Sequence, residues 1–174
     1  MARGGLVVAL ALVMGLAGCS RLPFRGEPQV APPDEALSAA CLVGNWHQTE
    51  GWQRLDTDDG PMQIRLVSGG RDFTVTANGT ATVTYTKPAL WQGSLGSLNL
   101  AATYTGSATL TYTASNGTWK EVADNTKVFT DIDVNGTKDK RAGSAGRTLE
   151  STYRCLGSDL VLSGPNYRQV FTRA

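Results

Sequence analysis

Histidine is nearly absent from this 174-residue chain, which carries only His47. Without a second histidine or a spare thiol, no zinc site of ordinary composition can be assembled, and a Ser-His-Asp relay would have to be built on His47 alone. There is no Gly-x-Ser-x-Gly elbow, His-Glu-x-x-His pair or phosphate-binding glycine loop. The expectation is a non-enzymatic protein without a cofactor. A surplus of charge is also missing, the formal net charge being +1. Nucleic-acid binding needs a basic stripe, and the only local cluster is Lys138, Lys140 and Arg141, interrupted by Asp139 and followed by Gly143 and Gly146. It reads as a solvated loop, so no nucleic-acid partner is expected. Long apolar runs are confined to Leu6 through Met14, too short to span a bilayer permanently. From Cys41 to Ala174 helical periodicity is absent as well.

The apolar run has its own meaning. Arg3 precedes it, and it leads into Leu16-Ala17-Gly18-Cys19. A charged start, a short greasy core and a small-residue cleavage site make an export signal. The last four residues resemble the lipobox of bacterial lipoproteins, in which the cysteine thiol receives a diacylglyceryl group and becomes the new N-terminus. That resemblance implies a signal helix over residues 1–18, lipidation at Cys19 and a protein held on the extracytoplasmic face of the cell membrane. An ordinary secretory signal or an uncleaved anchor would also export the chain. Removing residues 1–18 takes away only Arg3 of the 16 basic side chains, so the remainder balances the 15 acidic ones.

The chain has three cysteines. With Cys19 assigned to lipid, Cys41 and Cys155 remain as a pair in an oxidising compartment, which favours a disulfide. Between lipid and pair, residues 19–40 hold four of the seven prolines, Pro23, Pro28, Pro32 and Pro33, and show no apolar period. This is a disordered, proline-rich tether. At about 3 Å per residue it reaches at most about 60 Å. Its last part, Asp34 through Ala40, has the composition for a turn or two of helix.

Residues 41–174 form the folded domain. Phe73, Val75 and Ala77 alternate with Thr74 and Thr76, and Ala81, Val83 and Tyr85 with Thr82, Thr84 and Thr86. Leu110 and Tyr112 sit among Thr109, Thr111 and Thr113 in the same way. Threonine suits the wet face of a strand, so the apolar partners point into a shared interior. Asn78-Gly79, Asn116-Gly117 and Asn135-Gly136 mark tight hairpins, a stronger reading than the glycosylation sequon that each begins. Segments near 43–49, 62–68, 71–77, 80–86, 98–105, 107–114, 118–123, 126–134, 147–155, 159–163 and 167–172 read as strands. The fold class is all-β, an antiparallel up-and-down barrel of about 8–10 strands, with a β-sandwich as the alternative; closure hides the edges that an open sheet would expose.

Leu42-Val43-Gly44-Asn45-Trp46 resembles the Gly-x-Trp entry motif of lipocalins and other calycins. The layout of Cys41-Leu42-Val43-Gly44-Asn45-Trp46, Tyr153-Arg154-Cys155, Gly157-Ser158-Asp159-Leu160 and Tyr167 through Arg173 is similar to small actinobacterial envelope lipoproteins with a lipocalin-like domain. The resemblance implies a barrel plugged by Trp46, with Gly44 at its side and Arg173 packed on the indole. No further lipocalin motif is evident in the middle of the chain.

Phe73, Tyr85, Tyr104, Tyr112, Phe129, Tyr153 and Phe171 fall on inward positions. They either fill a core or line a cavity for a lipid or other small apolar or amphiphilic ligand. Trp52 and Trp91 lie in loop-like stretches and are candidates for a lid, a partner contact or a cap of the barrel ends. Asp131, Asp133 and Asn135 match the opening of a calcium loop, but its twelfth position is Ala142 where a bidentate Glu belongs; a strand ending in an Asn-Gly turn explains them better, and no metal is expected. Asp56, Asp58 and Asp59 read as a solvated turn. The function expected is a lipid-anchored envelope protein that binds a small ligand in a barrel. The alternative is a filled structural module that contacts another envelope protein.

Overall fold

The computed structural model describes residues 37–174. The signal segment, the lipidation cysteine Cys19 and the proline-rich stretch to residue 36 lie outside the described residues. The domain opens with a 3₁₀ turn, Ala39–Leu42. Eleven antiparallel strands follow: β1 (Gly44–Thr57), β2 (Gly60–Ser68), β3 (Asp72–Val75), β4 (Thr80–Leu95), β5 (Leu98–Ser115), β6 (Thr118–Thr126), β7 (Phe129–Val134), β8 (Thr137–Ala142), β9 (Thr148–Leu156), β10 (Asp159–Gly164) and β11 (Tyr167–Arg173). The expected alternation holds for Phe73, Val75, Ala81, Val83 and Leu110, which are buried, and for Thr74, Thr82, Thr109 and Thr111, which are exposed; Ala77, expected inward, is instead an exposed turn residue beyond the end of β3. At two of the hairpins Asn116 and Asn135 adopt φ of 47° and 50°, followed by Gly117 and Gly136 at 76° and 87°, the left-handed pair that a two-residue hairpin turn requires.

All eleven strands belong to one sheet, and that sheet closes on itself. Along one side β1 pairs with β11, from Trp46 opposite Arg173 to Gln53 opposite Tyr167. Its other side is shared, with β3 against Gly44 to His47 and β2 against Trp52 to Thr57. β4 is divided likewise between β3 and β2. β5 gives its second half to β6 and its first half to β7. Following the hydrogen bonds through β1, β3, β4, β5, β6, β9, β10 and β11 returns to β1. The far halves of β1, β4 and β5, with β2, β7 and β8, continue beyond this ring as a side wing.

Backbone chemistry fixes where wing and ring part. Gly106, in mid-strand, has φ of 96°, and a Cβ there would lie 2.0 Å from the Lys127 carbonyl oxygen. Only glycine lets the β6–β7 junction come so close. Two apolar clusters follow from the division. Leu42, Trp46, Phe73, Trp119, Tyr153, Leu160 and Phe171 fill the ring, while Met62, Ile64, Ala89, Trp91 and Ala102 pack in the wing.

Several sequence expectations are corrected here. The segments near 98–105 and 107–114 are one strand, β5, bent at Gly106 rather than ended there. Trp52 and Trp91 lie in β1 and β4, not in loops, and Trp91 is buried. The Lys138, Lys140 and Arg141 cluster is not a loop but the exposed strand β8 at the rim of the wing. Lysines on such a strand discourage pairing with another chain.

Candidate functional site

One end of the ring is closed by the residues around the entry of the chain. Trp46 is buried, and its indole Nε1 donates to the Leu42 carbonyl at 2.8 Å. The Arg173 guanidinium carbon lies 4.3 Å from the Trp46 ring centroid, a cation–π contact. Its two terminal nitrogens donate to the carbonyls of Val43 and Cys41, each at 3.2 Å. Gly44 makes room for this arrangement, because a Cβ there would sit 2.5 Å from Arg173 Nη1. Cys41 and Cys155 are disulfide-bonded with Cα atoms 6.2 Å apart, tying the entry turn to the end of β9. The Tyr153 hydroxyl donates to the Leu37 carbonyl at 2.6 Å.

Above this plug the interior is solid. Tyr112 stacks on Trp119 with centroids 4.1 Å apart, Phe73 meets Trp119 edge-on at 5.6 Å, and Phe73 lies 5.7 Å from Phe171. Of the seven aromatics considered as ligand-lining, Phe73, Tyr153 and Phe171 are core, and Tyr112 is a partly buried ring packed against it. Phe129 is not inside at all: it is 42 % exposed on β7, with Lys140 Nζ 5.6 Å from its ring centroid. Its inward parity fails because β7 has left the ring.

Tyr85 and Tyr104 line space. At the end opposite the plug, where β9 and β11 begin, a cavity of about 350 Å³ is lined by Tyr85, Tyr104, Tyr167, Glu121, Gln169 and Arg147, together with Ala123, Val128 and Leu149. The Tyr85 and Tyr104 rings stack at 5.9 Å. Burial raises the pKa of all three tyrosines, most directly that of Tyr85 and Tyr104, so they present neutral phenols. Tyr167 also shares a short hydroxyl hydrogen bond with buried Ser151. Glu121 is 8 % exposed, and its Oε2 accepts from Trp119 Nε1 at 2.7 Å. Behind Gln169, Arg71 donates to Gln169 Oε1 at 2.5 Å and lies 5.4 and 5.2 Å from the Phe73 and Phe171 centroids. The Arg71 Nε is buried without a partner.

Sequence reasoning missed Glu121, Tyr167, Gln169, Arg147 and Arg71. A signal for Glu121 was present: Trp119, Glu121 and Ala123 share one strand face, so a carboxylate stands at an inward position between two apolar residues.

Elsewhere, polar groups satisfy one another. Asp131 Oδ1 lies 3.4 Å from Lys140 Nζ, Asp133 Oδ1 accepts the Gly136 amide, and Asn135 Oδ1 accepts the Asn99 amide. The three candidate calcium donors thus serve a strand pair and a turn. Among the described residues no group of three or more His, Cys, Asp and Glu side chains is placed to hold a metal ion. Asp56 lies at the end of β1, and Asp58 and Asp59 make the turn into β2.

On the outer surface His47 Nδ1 lies 2.7 Å from Asp72 Oδ1, while Thr86 donates to the other Asp72 oxygen. The Thr86 hydroxyl, opposed by partial burial and assisted by His47, lowers the Asp72 pKa. A carboxyl that titrates lower when folded contributes stability above the ordinary aspartate range and loses it as pH falls through the depressed value. Asp72→Asn is therefore expected to destabilise the fold slightly at neutral pH, by less than about 1 kcal/mol for so exposed a pair. The difference from wild type should close in thermal melts as pH falls below the ordinary aspartate range.

Compared with protein-family models, curated proteins and solved structures, the chain matches none.

Proposed function

We propose that this chain is a lipid-anchored lipoprotein of the bacterial cell envelope, whose ring is a lipocalin-like up-and-down barrel holding a small amphiphilic ligand without transforming it. The cavity at the unplugged end carries this reading. Its volume of about 350 Å³ falls within the range of small-molecule sites. Leu149, Val128 and Ala123 give it an apolar wall, and three phenols and a carboxylate give it polar ends. Two features support the lipocalin likeness. Ring neighbours follow chain order once β2 and the β7–β8 hairpin are set aside, and Arg173 covers Trp46 as the Gly-x-Trp resemblance implied. Localisation on the extracytoplasmic face of the membrane rests on Leu16-Ala17-Gly18-Cys19. The described chain enters at the plugged end, opposite the cavity.

The solid aromatic half of the ring favours a second reading, an envelope interaction module that binds nothing small. Native mass spectrometry of the full chain made in a bacterial envelope separates the two. A co-purifying small molecule is expected with wild type and not with Ala123→Trp, which fills the cavity. A wild-type chain that is empty in repeated preparations would favour the second reading.

A further inference from the structure

Resting on the cavity reading above, we propose that the ligand carries a primary ammonium group, which the cavity receives on Glu121. The hydrogen-bond inventory of Glu121 is incomplete. An ionised carboxylate has two oxygens and about four acceptor sites. Trp119 Nε1 occupies one of them on Oε2, and Oε1 accepts nothing from the described residues. Glu121 is nevertheless more than nine-tenths buried and lines the cavity. It stands where the filled core ends, since the preceding inward residue on β6 is the fully buried Trp119 and the following one, Ala123, lines the same cavity. A buried charge needs a partner, yet no Lys or Arg nitrogen lies within ion-pair distance of Glu121 among the described residues. Its wall is the acceptor side of a cation site.

The surrounding chemistry selects among cations. Tyr85, Tyr104 and Tyr167 place electron-rich rings around the same space, and such rings attract ammonium groups. An unfilled Oε1 calls for N–H donors, which a primary amine has and a quaternary one lacks. Two guanidinium groups oppose the assignment and must be counted. Arg147 lines the cavity but is an exposed side chain. Arg71 is held behind Gln169 and over Phe73 and Phe171 and does not line the cavity. Ala123, Val128 and Leu149 leave an apolar wall for the hydrocarbon part of the ligand.

Isothermal titration of the full chain with cyclohexylamine, cyclohexanol and cyclohexanecarboxylate tests this, because the three probes share one apolar body. The amine is expected to bind about tenfold or more tighter than the alcohol, the scale of one charge-assisted hydrogen bond. Glu121→Gln keeps a carbonyl acceptor for Trp119 Nε1 and should reduce the amine to the affinity of the alcohol. Ala123→Trp should abolish binding of all three. Equal binding of the three probes, preference for the carboxylate, or unchanged amine affinity in Glu121→Gln would overturn the ammonium assignment and leave the cavity reading standing. If no probe binds the folded wild type, both fall.

Discussion

Replacing both Cys41 and Cys155 by alanine is expected to lower the melting temperature by about 10–20 °C. The bond spans 114 residues of sequence, and a loop of that length corresponds to about 4–5 kcal/mol of lost unfolded-state entropy. For a domain of this size each kcal/mol moves the midpoint by about 2–5 °C. Native contacts add to the effect. The Cys41 carbonyl accepts from Arg173, and Leu42, next to it, is fully buried and supplies the acceptor for Trp46 Nε1. Freeing the entry turn therefore loosens the plug as well as lengthening the unfolded chain. Thermal melts with and without reductant check this: wild type plus reductant should fall to the level of the double variant, and the variant should ignore reductant. A variant melting within about 3 °C of wild type would mean that the plug holds by packing alone.

The pair was legible because only three cysteines exist and one had another assignment. The strands were legible because threonine marks their wet faces. What stayed hidden was long-range geometry. Between Tyr85 and Ala89 the pairing of β4 slips by two residues, so odd-numbered positions keep facing inward and Trp91, which reads as a loop residue, becomes core. Gly106 looks like the end of a strand but permits a close approach inside one. Parity also says nothing about height along the ring. Phe73, Tyr112 and Tyr85 all face inward, yet Phe73 and Tyr112 pack on Trp119 and Tyr85 lines the cavity. Strand order decides this, and strand order is a property of the closed sheet rather than of any one segment. The Gly44, Trp46 and Arg173 constellation was legible only through a resemblance, because nothing local couples position 46 to position 173.

Trp119 joins the filled half of the ring to the cavity, and its loss is the second large effect expected. Trp119→Ala should cost about 3–5 kcal/mol, since the indole is fully buried against Tyr112 and Phe73. Trp119→Phe is the more informative change. It keeps an aromatic packing partner and removes Nε1, leaving Glu121 without its only hydrogen-bond donor among the described residues. A carboxylate stranded at such a position costs about 1–3 kcal/mol. In a Glu121→Leu background the same substitution has no charge to strand and should cost markedly less. Denaturant unfolding of the four proteins, with unchanged m-values, measures this coupling. Simple additivity would show that cavity water already satisfies Glu121 and that the indole contributes only area. Strong coupling would mean that the core fixes the direction of the carboxylate, with Trp119 holding one oxygen so that the other is turned towards the space above it.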